Sequence, residues 1–397
     1  MQPLILSQLC IANSLGAGLS ATRSALQERR SGLAPCHFET VDLKTYVGEV
    51  EELDAVRLAG DLHIFDCRNN RLAQRALDQD GFREAVAKAR ERYGARRIGV
   101  FLGTSTSGIL ETELAYRRRN PKTGALPAEF QYATTQNTFS VAQFVQRLLS
   151  LEGPAVVVSS ACSTTAKVFG NAARMIEAGL CDAAIVGGAD SLCLTTLYGF
   201  HALGLVSESP CRPFDVDRDG ISIGEGAGFA LLEKSNSRNA ESEIHVLGIG
   251  ESSDAYHMST PHPEGLGARL AMQRALQSAN LPAEAIGYIN LHGTATRTND
   301  AAEDKAICAL FGTQTPCSST KGWTGHTLGA AGITEAIISA LAVREGFLPG
   351  SLHTRRVDPA LKSRYLTENA DQAVSTVMTN SFGFGGSNCS LILGRKP

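Results

Sequence analysis

Apolar runs of strand length alternate with helix-period stretches through most of this chain. That alternation predicts α/β layers with largely parallel strands. The clearest unit begins at Ala155-Val156-Val157-Val158, a β-branched run that reads as a buried strand. A helix follows from Cys162, with Val168, Phe169, Ala172, Ala173 and Ile176 on its apolar face and Gly179 ending it. Ala183-Ala184-Ile185-Val186 is the next strand. The cysteine therefore sits at the strand-to-helix turn of a β-α-β crossover.

Two comparable units follow in the second half. Ile286-Gly287-Tyr288-Ile289-Asn290-Leu291 runs into His292, with a helix expected from Ala301 to Phe311. Residues 316–320 read as a short strand leading into residues 321–325. A helix from His326 carries Ala336, Ile337, Ala340 and Leu341 on one face and ends near Gly346. This last unit echoes the Cys162 unit: a Ser-Ser pair, a turn, then a helix opening with small residues. The echo predicts two related halves. The polar stretch over residues 234–243 predicts their boundary, giving a half over 1–239 that carries the cysteine and a half over 240–397 that carries both histidines. A site built from all three would lie at the seam.

Composition narrows the class. A length of 397 residues allows two ordinary domains or one large α/β unit with ample core. A net charge of −3 gives no global reason to expect nucleic acid or an anionic membrane as partner. The ten cysteines show no C-x-x-C pair and no zinc-type spacing, so they read as reduced thiols of a cytoplasmic protein, and no metal is expected. The start, Met1-Gln2-Pro3-Leu4-Ile5-Leu6-Ser7, lacks the basic n-region of a signal peptide, and no apolar run reaches membrane-spanning length.

Three residues carry the chemistry. Cys162 lies in Ser159-Ser160-Ala161-Cys162-Ser163-Thr164-Thr165, His292 in His292-Gly293-Thr294-Ala295-Thr296, and His326 in Lys321-Gly322-Trp323-Thr324-Gly325-His326. A cysteine taken alone is usually a packing thiol. At a helix N-terminus, however, the dipole and unpaired N–H groups are expected to lower its pKa and to hold an oxyanion. Glycines 293 and 325 allow close approach of a ligand beside each imidazole. Thr294 and Thr296 suit an amide-rich substrate arm. Asp300 and Glu303 read as a capping-box-like helix start, and Lys321 as either a loop lysine or a site residue.

These Cys, His and His segments resemble those of the β-ketoacyl-acyl carrier protein synthases, the elongating condensing enzymes of the thiolase-like superfamily. So do Ser253-Asp254-Ala255-Tyr256-His257, Pro213-Phe214-Asp215 through Gly220, Gly224-Glu225-Gly226-Ala227-Gly228, and the stretch Asn380-Ser381-Phe382-Gly383-Phe384-Gly385-Gly386-Ser387-Asn388. The resemblance spans roughly Gly99 to the C-terminus. It implies a thiolase-like, five-layered α-β-α-β-α fold with two structurally similar halves. It implies that Cys162 accepts an acyl chain from acyl carrier protein, and that His292 and His326 stabilise the enolate formed when malonyl-carrier protein loses carbon dioxide. Backbone N–H groups of Cys162 and Phe384 would form the oxyanion hole, Phe384 would gate the acyl pocket, and Lys321 paired with Glu303 would set the histidine geometry. Thr294, Thr296, Thr106, Phe382, Gly385 and Asn388 would contact substrate. No cofactor is implied beyond the carrier's phosphopantetheine. A dimer is implied, either of this chain or with a related chain-length-factor subunit.

Departures and alternatives bear on this reading. The opening strand lacks the family's usual Thr-Gly-x-Gly, and Arg297 stands where a proline is common. Thr106 would place a polar group near the acyl pocket, pointing to an unusual acyl chain. A non-catalytic partner subunit would lack the cysteine, and a coenzyme A-dependent thiolase would normally have one histidine at its condensing centre; the full set here argues against both. Three tempting motifs fail. Asp215-x-Asp217-x-Asp219-Gly220 has Gly226 where a calcium loop needs glutamate. Gly224-x-Gly226-x-Gly228 precedes a strand-like run, where a dinucleotide turn needs a helix. The run Arg117-Arg118-Arg119 with Lys122 reads first as a solvated face, and second as a docking patch for an acidic carrier.

Overall fold

The computed structural model describes residues 1–234 and 243–396. The boundary expected between 239 and 240 lies outside the described residues.

The two halves share one strand order. In the first, Ala155–Val158, Ile98–Gly103, Ala183–Asp190, Gly226–Lys234 and Leu4–Asn13 lie side by side. In the second, the order is Pro316–Ser318, Tyr288–Asn290, Thr376–Gly383, Ser387–Gly394 and His245–Ser253. Numbered by appearance within its half, each reads 3-2-4-5-1. In each, the first three strands are parallel and the last two pairings antiparallel. The halves join where Leu4 and Ile5 pair with Val246 and His245. The echo read from the Ser-Ser turn is thus a property of the whole topology.

Three buried clusters define five layers. Helices Arg68–Leu77, Phe82–Tyr93 and Ser140–Leu149 cover the outer face of the first sheet, with Leu72, Phe82 and Phe144 sharing a cluster with Val100 and Phe229. Helices Leu266–Ala279 and Arg297–Phe311 cover the second, through Met272 and Ile307 with Ile289 and Ile392. Helices Thr164–Glu177 and Ala331–Glu345 fill the middle, with Phe169, Ile333 and Ile337 between Phe101 and Val186 on one side and Val377 and Leu391 on the other. A Cβ on Gly332 would come within 2.5 Å of the Ala166 nitrogen, so the two central helices approach through small residues.

Burial departs from expectation in two places. The sequence predicts one apolar face for helix Ala331–Glu345, yet every residue from Ala331 to Val343 is buried, because sheets enclose it on both sides. Strand Ala155–Val158 has the sequence of a buried strand, yet it is a sheet edge with Val156 38% exposed. Boundaries shift as well. The helix after His292 begins at Arg297, and the one after His326 at Ala331, behind a 3₁₀ turn over Leu328–Ala330.

Candidate active site

The Cys162 turn is a strained, clamped bend. Ala161 has φ of 50°, costly for a residue with a Cβ. Its carbonyl accepts from the Thr164 N–H at 3.1 Å and the Thr164 hydroxyl at 2.6 Å, while Ser160 N–H donates to that hydroxyl at 2.8 Å. The first turn of helix Thr164–Glu177 thus holds the bend that aims Cys162 at the seam. Thr165 ties that helix to the other half, its hydroxyl donating to the Gly329 carbonyl at 2.6 Å.

His292 follows strand Tyr288–Asn290. Glu303, fully buried, accepts from the backbone N–H groups of His292 and Gly293, each at 2.8 Å, and from the Asn380 amide at 3.2 Å. The expected Lys321–Glu303 pair does not exist. The Lys321 ammonium instead divides its three protons among Glu335, the His292 carbonyl and His292 Nδ1, the last at 3.3 Å. Glu335 reaches it from the buried middle helix, a position no local spacing indicates. The expected capping box is also absent: Thr296 caps the helix, its hydroxyl accepting from Asn299 N–H, while Asp300 accepts from Phe214 N–H at 2.9 Å. Burial pushes Glu303 and Glu335 each up to about 7, against the N–H donors on the first and the Lys321 charge on the second.

Both imidazoles are held neutral, His292 well below its usual range by burial, Lys321 and His326, and His326 by burial and then Lys321. Their tautomers follow from their neighbours. Leu328 N–H donates to His326 Nδ1 at 3.1 Å, and Lys321 donates to His292 Nδ1. Each Nδ1 is therefore an acceptor, leaving Nε2–H as the free donor of each ring. The rings stand edge-on with centroids 5.4 Å apart, and Cys162 Sγ and one nitrogen of each ring lie within 4.8 Å of one another. The three residues thus meet at the seam between the halves. A metal fits this trio poorly. A ligating imidazole normally donates its second N–H outward, whereas both Nδ1 atoms here face donors.

The thiol differs from expectation. Cys162 stands ahead of the helix, with Ser163 between it and Thr164, and burial pushes its pKa up to about 11. The Lys321 charge and the Phe384 N–H, aimed at the sulfur, pull the other way and lose. Because the raised pKa leaves little thiolate at neutral pH, alkylation by a small uncharged electrophile should accelerate about tenfold per pH unit from 7 to 9. A rate that levels off below pH 8 would show the helix end dominating instead.

A cavity opens over the three groups. Phe200, Leu205, Ile221, Phe382 and Phe384 give it apolar walls; Thr294, Thr296, Thr298, Ser259 and Thr260 add hydroxyls. Of the expected contacts, Thr294, Thr296, Phe382 and Asn388 line it. Phe382 lies edge-on to His292 at 5.9 Å, and Asn388 donates to Asp254 at 2.9 Å. Gly385 does not line it, donating its N–H to the Met258 carbonyl, and neither does Thr106, whose hydroxyl donates to Asp190 at 3.0 Å. Phe384 meets Phe200 at 5.7 Å, an aromatic pair the motif alone does not disclose. Thr298 and Ser259 were also missed, each just beyond a stretch singled out in the sequence. Arg297 is exposed at the helix start, with Arg117, Arg118 and Arg119 exposed elsewhere. Asp215 accepts from the N–H groups of Asp217, Arg355 and Arg356, so the failed calcium motif is a loop clamp.

The chain matches known proteins both in sequence and in structure. The sequence matches the family descriptions "Beta-ketoacyl synthase, N-terminal domain" over residues 68–237 and "Beta-ketoacyl synthase, C-terminal domain" over 244–355. It is 33% identical to a 3-oxoacyl-[acyl-carrier-protein] synthase 2 of Vibrio cholerae, over 99% of both chains. Among solved structures, a ketosynthase in complex with its chain length factor from Xenorhabdus doucetiae superimposes with a TM-score of 0.89 at 39% identity, covering 100% of this chain and 98% of that one. The ishigamide ketosynthase/chain length factor superimposes with a TM-score of 0.89 at 27% identity, covering 100% of each chain.

Proposed function

The chain belongs to the β-ketoacyl synthase family of carbon–carbon bond-forming condensing enzymes, and we propose that Cys162, His292, His326 and Lys321 carry out its decarboxylative condensation. The convergence of one sulfur and two imidazoles on a single cavity carries this reading. In the first step Cys162 Sγ attacks an acyl thioester delivered by acyl carrier protein. A new C–S bond forms, the old one breaks, and the thiol proton passes to the departing pantetheine sulfur. Backbone N–H groups of Cys162 and Phe384 hold the oxyanion.

In the second step a malonyl thioester occupies the same cavity, its amide-rich arm along the Thr294, Thr296 and Thr298 hydroxyls. The bond to its carboxylate breaks, carbon dioxide leaves, and the electron pair becomes an enolate whose oxygen accepts from both Nε2–H groups. Both donors are preorganised, so little reorganisation is needed as charge develops. The enolate carbon then attacks the acyl-Cys162 carbonyl, the C–S bond breaks, and a 3-oxoacyl thioester two carbons longer departs on the carrier. The chain's own residues supply every donor, and the only prosthetic arm required is the carrier's.

Replacing His326 with alanine should cut condensation by about 10²-fold or more, with acyl loading of Cys162 changed far less. Loading followed by intact mass and condensation followed with malonyl-carrier protein separate the two; equal losses would remove His326 from the enolate role. Acetyl-coenzyme A offered as extender should give no product, whereas turnover with it would favour the thiolase reading.

The identity to a ketosynthase/chain length factor pair supports a heterodimer in which this chain, holding the full catalytic set, is the ketosynthase member. The open edge strand Ala155–Val158, with Tyr116, Tyr132, Tyr198 and Leu203 also exposed, is surface that a partner would cover. A cytoplasmic setting suits the ten free cysteines. No described helix is long and apolar enough to cross a membrane.

A further inference from the structure

Asp190 ends strand Ala183–Asp190 and is wholly buried, and among the described residues its hydrogen-bond donors are hydroxyls and backbone N–H groups, not cations. Its Oδ1 accepts from Thr104 Oγ1 at 2.8 Å, Ser105 N–H at 2.7 Å, Thr106 N–H at 2.9 Å and Thr106 Oγ1 at 3.0 Å. Its Oδ2 crosses the seam to a single donor, the Gly329 N–H, at 2.6 Å. Gly329 has room for nothing larger: a Cβ there would come within 2.7 Å of Oδ2 and 2.6 Å of Ser105 Oγ.

The residue before Gly329 gives this contact its meaning. Leu328 has φ of 52°, a left-handed conformation that is costly for a leucine and persists only where surroundings impose it. Leu328 is also the residue whose N–H donates to His326 Nδ1. Two bonds from the first half grip the next residue, Asp190 on the Gly329 N–H and Thr165 on its carbonyl. The strained turn, the hold on Gly329 and the tautomer of His326 are therefore one mechanical unit.

We propose that Asp190 is the positioning residue that holds the Leu328–Gly329 turn and, through it, fixes the tautomer and aim of His326. It touches no substrate. The inference rests on His326 donating to the enolate oxygen, and it adds the element that keeps that donor in place. It also makes the catalytic geometry of the second half depend on a carboxylate of the first.

Asp190→Asn tests it. The amide oxygen can still satisfy the four donors at Oδ1, but the amide N–H₂ then faces the Gly329 N–H and the grip on the turn is lost. Condensation should fall by about 10²-fold, the cost of a misplaced group, while acyl loading of Cys162 stays within about threefold. Nitrogen-15 NMR of labelled histidine should show His326 passing from one tautomer to a mixture, a readout independent of turnover. Leu328→Gly removes the strain, so Asp190→Asn placed in that background should cost less than about fivefold relative to Leu328→Gly alone. If Asp190→Asn by itself does not fold, the comparison of Leu328→Gly with the double variant carries the test. An unchanged tautomer, equal losses in both backgrounds, parallel loss of loading and condensation, or a double variant that also fails to fold would each overturn the proposal. Failure of the wild-type chain to make a 3-oxoacyl product would instead strike the functional reading, and the tautomer measurement would still stand.

Discussion

Incubated with an acyl-carrier protein, the Cys162→Ala variant should show no acyl adduct by intact mass, and its condensation should fall by about 10⁴-fold or more. No second thiol can substitute. Cys211 and Cys193 are buried, and neither lines the cavity, whose lining includes Cys162. Malonyl-carrier protein should still lose carbon dioxide, because the enolate oxygen is held by His292 and His326 and not by the sulfur. The variant thus separates the two half-reactions. An adduct that survives the substitution would move the nucleophile elsewhere; decarboxylation that vanishes with the sulfur would mean that the imidazoles do not act alone. Thermal stability should change little, since the side chain loses one atom and the Ala161–Thr164 clamp remains.

How much of this site is legible in the sequence depends on whether a residue's role is local. Cys162 and His292 closely follow the ends of strands Ala155–Val158 and Tyr288–Asn290, and His326 follows strand Pro316–Ser318 after the short helix Lys321–Thr324; the α/β pattern brings such turns to one side of a sheet. The shared 3-2-4-5-1 order explains why the Ser-Ser echo was informative: equivalent turns of duplicated halves face each other across the seam. Choosing a carboxylate for Lys321 is different. Glu303 is the acid near His292 in sequence, but its oxygens go to the His292 and Gly293 N–H groups. Glu335 is the partner because helix Ala331–Glu345 is threaded between two sheets. The sequence carries a signal for it, one acid among the apolar and small residues of 331–343, since a buried acid needs a partner. The thiol shows the same divide. Its place at a helix start is local, while the burial that raises its pKa belongs to the assembled seam. Likewise, nothing in Ala155-Val156-Val157-Val158 says whether it is a central strand or an edge.

The Lys321–Glu335 pair makes a prediction in which stability and catalysis part company. Lys321→Met leaves Glu335 buried without its cation, which should cost about 3–5 kcal/mol of unfolding free energy, read from denaturant melts. The sign of the pH dependence follows. Burial already raises Glu335 to about 7, and losing the Lys321 charge raises it further. The folded variant then keeps a proton that the unfolded chain releases near its ordinary carboxylate range, so stability should fall as pH rises from about 5 to 8. Adding Glu335→Gln removes both the buried charge and that pH dependence, and should restore most of the lost stability. It should not restore catalysis. Without the ammonium, His292 Nδ1 has no donor to fix its tautomer, and the Cys162 thiol loses the largest influence holding its pKa down. Carbon dioxide release and condensation should both remain about 10²-fold below wild type in the single and the double variant. Recovery of turnover together with stability in the double variant would reduce Lys321 to a structural counter-ion and would return the site to its sulfur and two imidazoles.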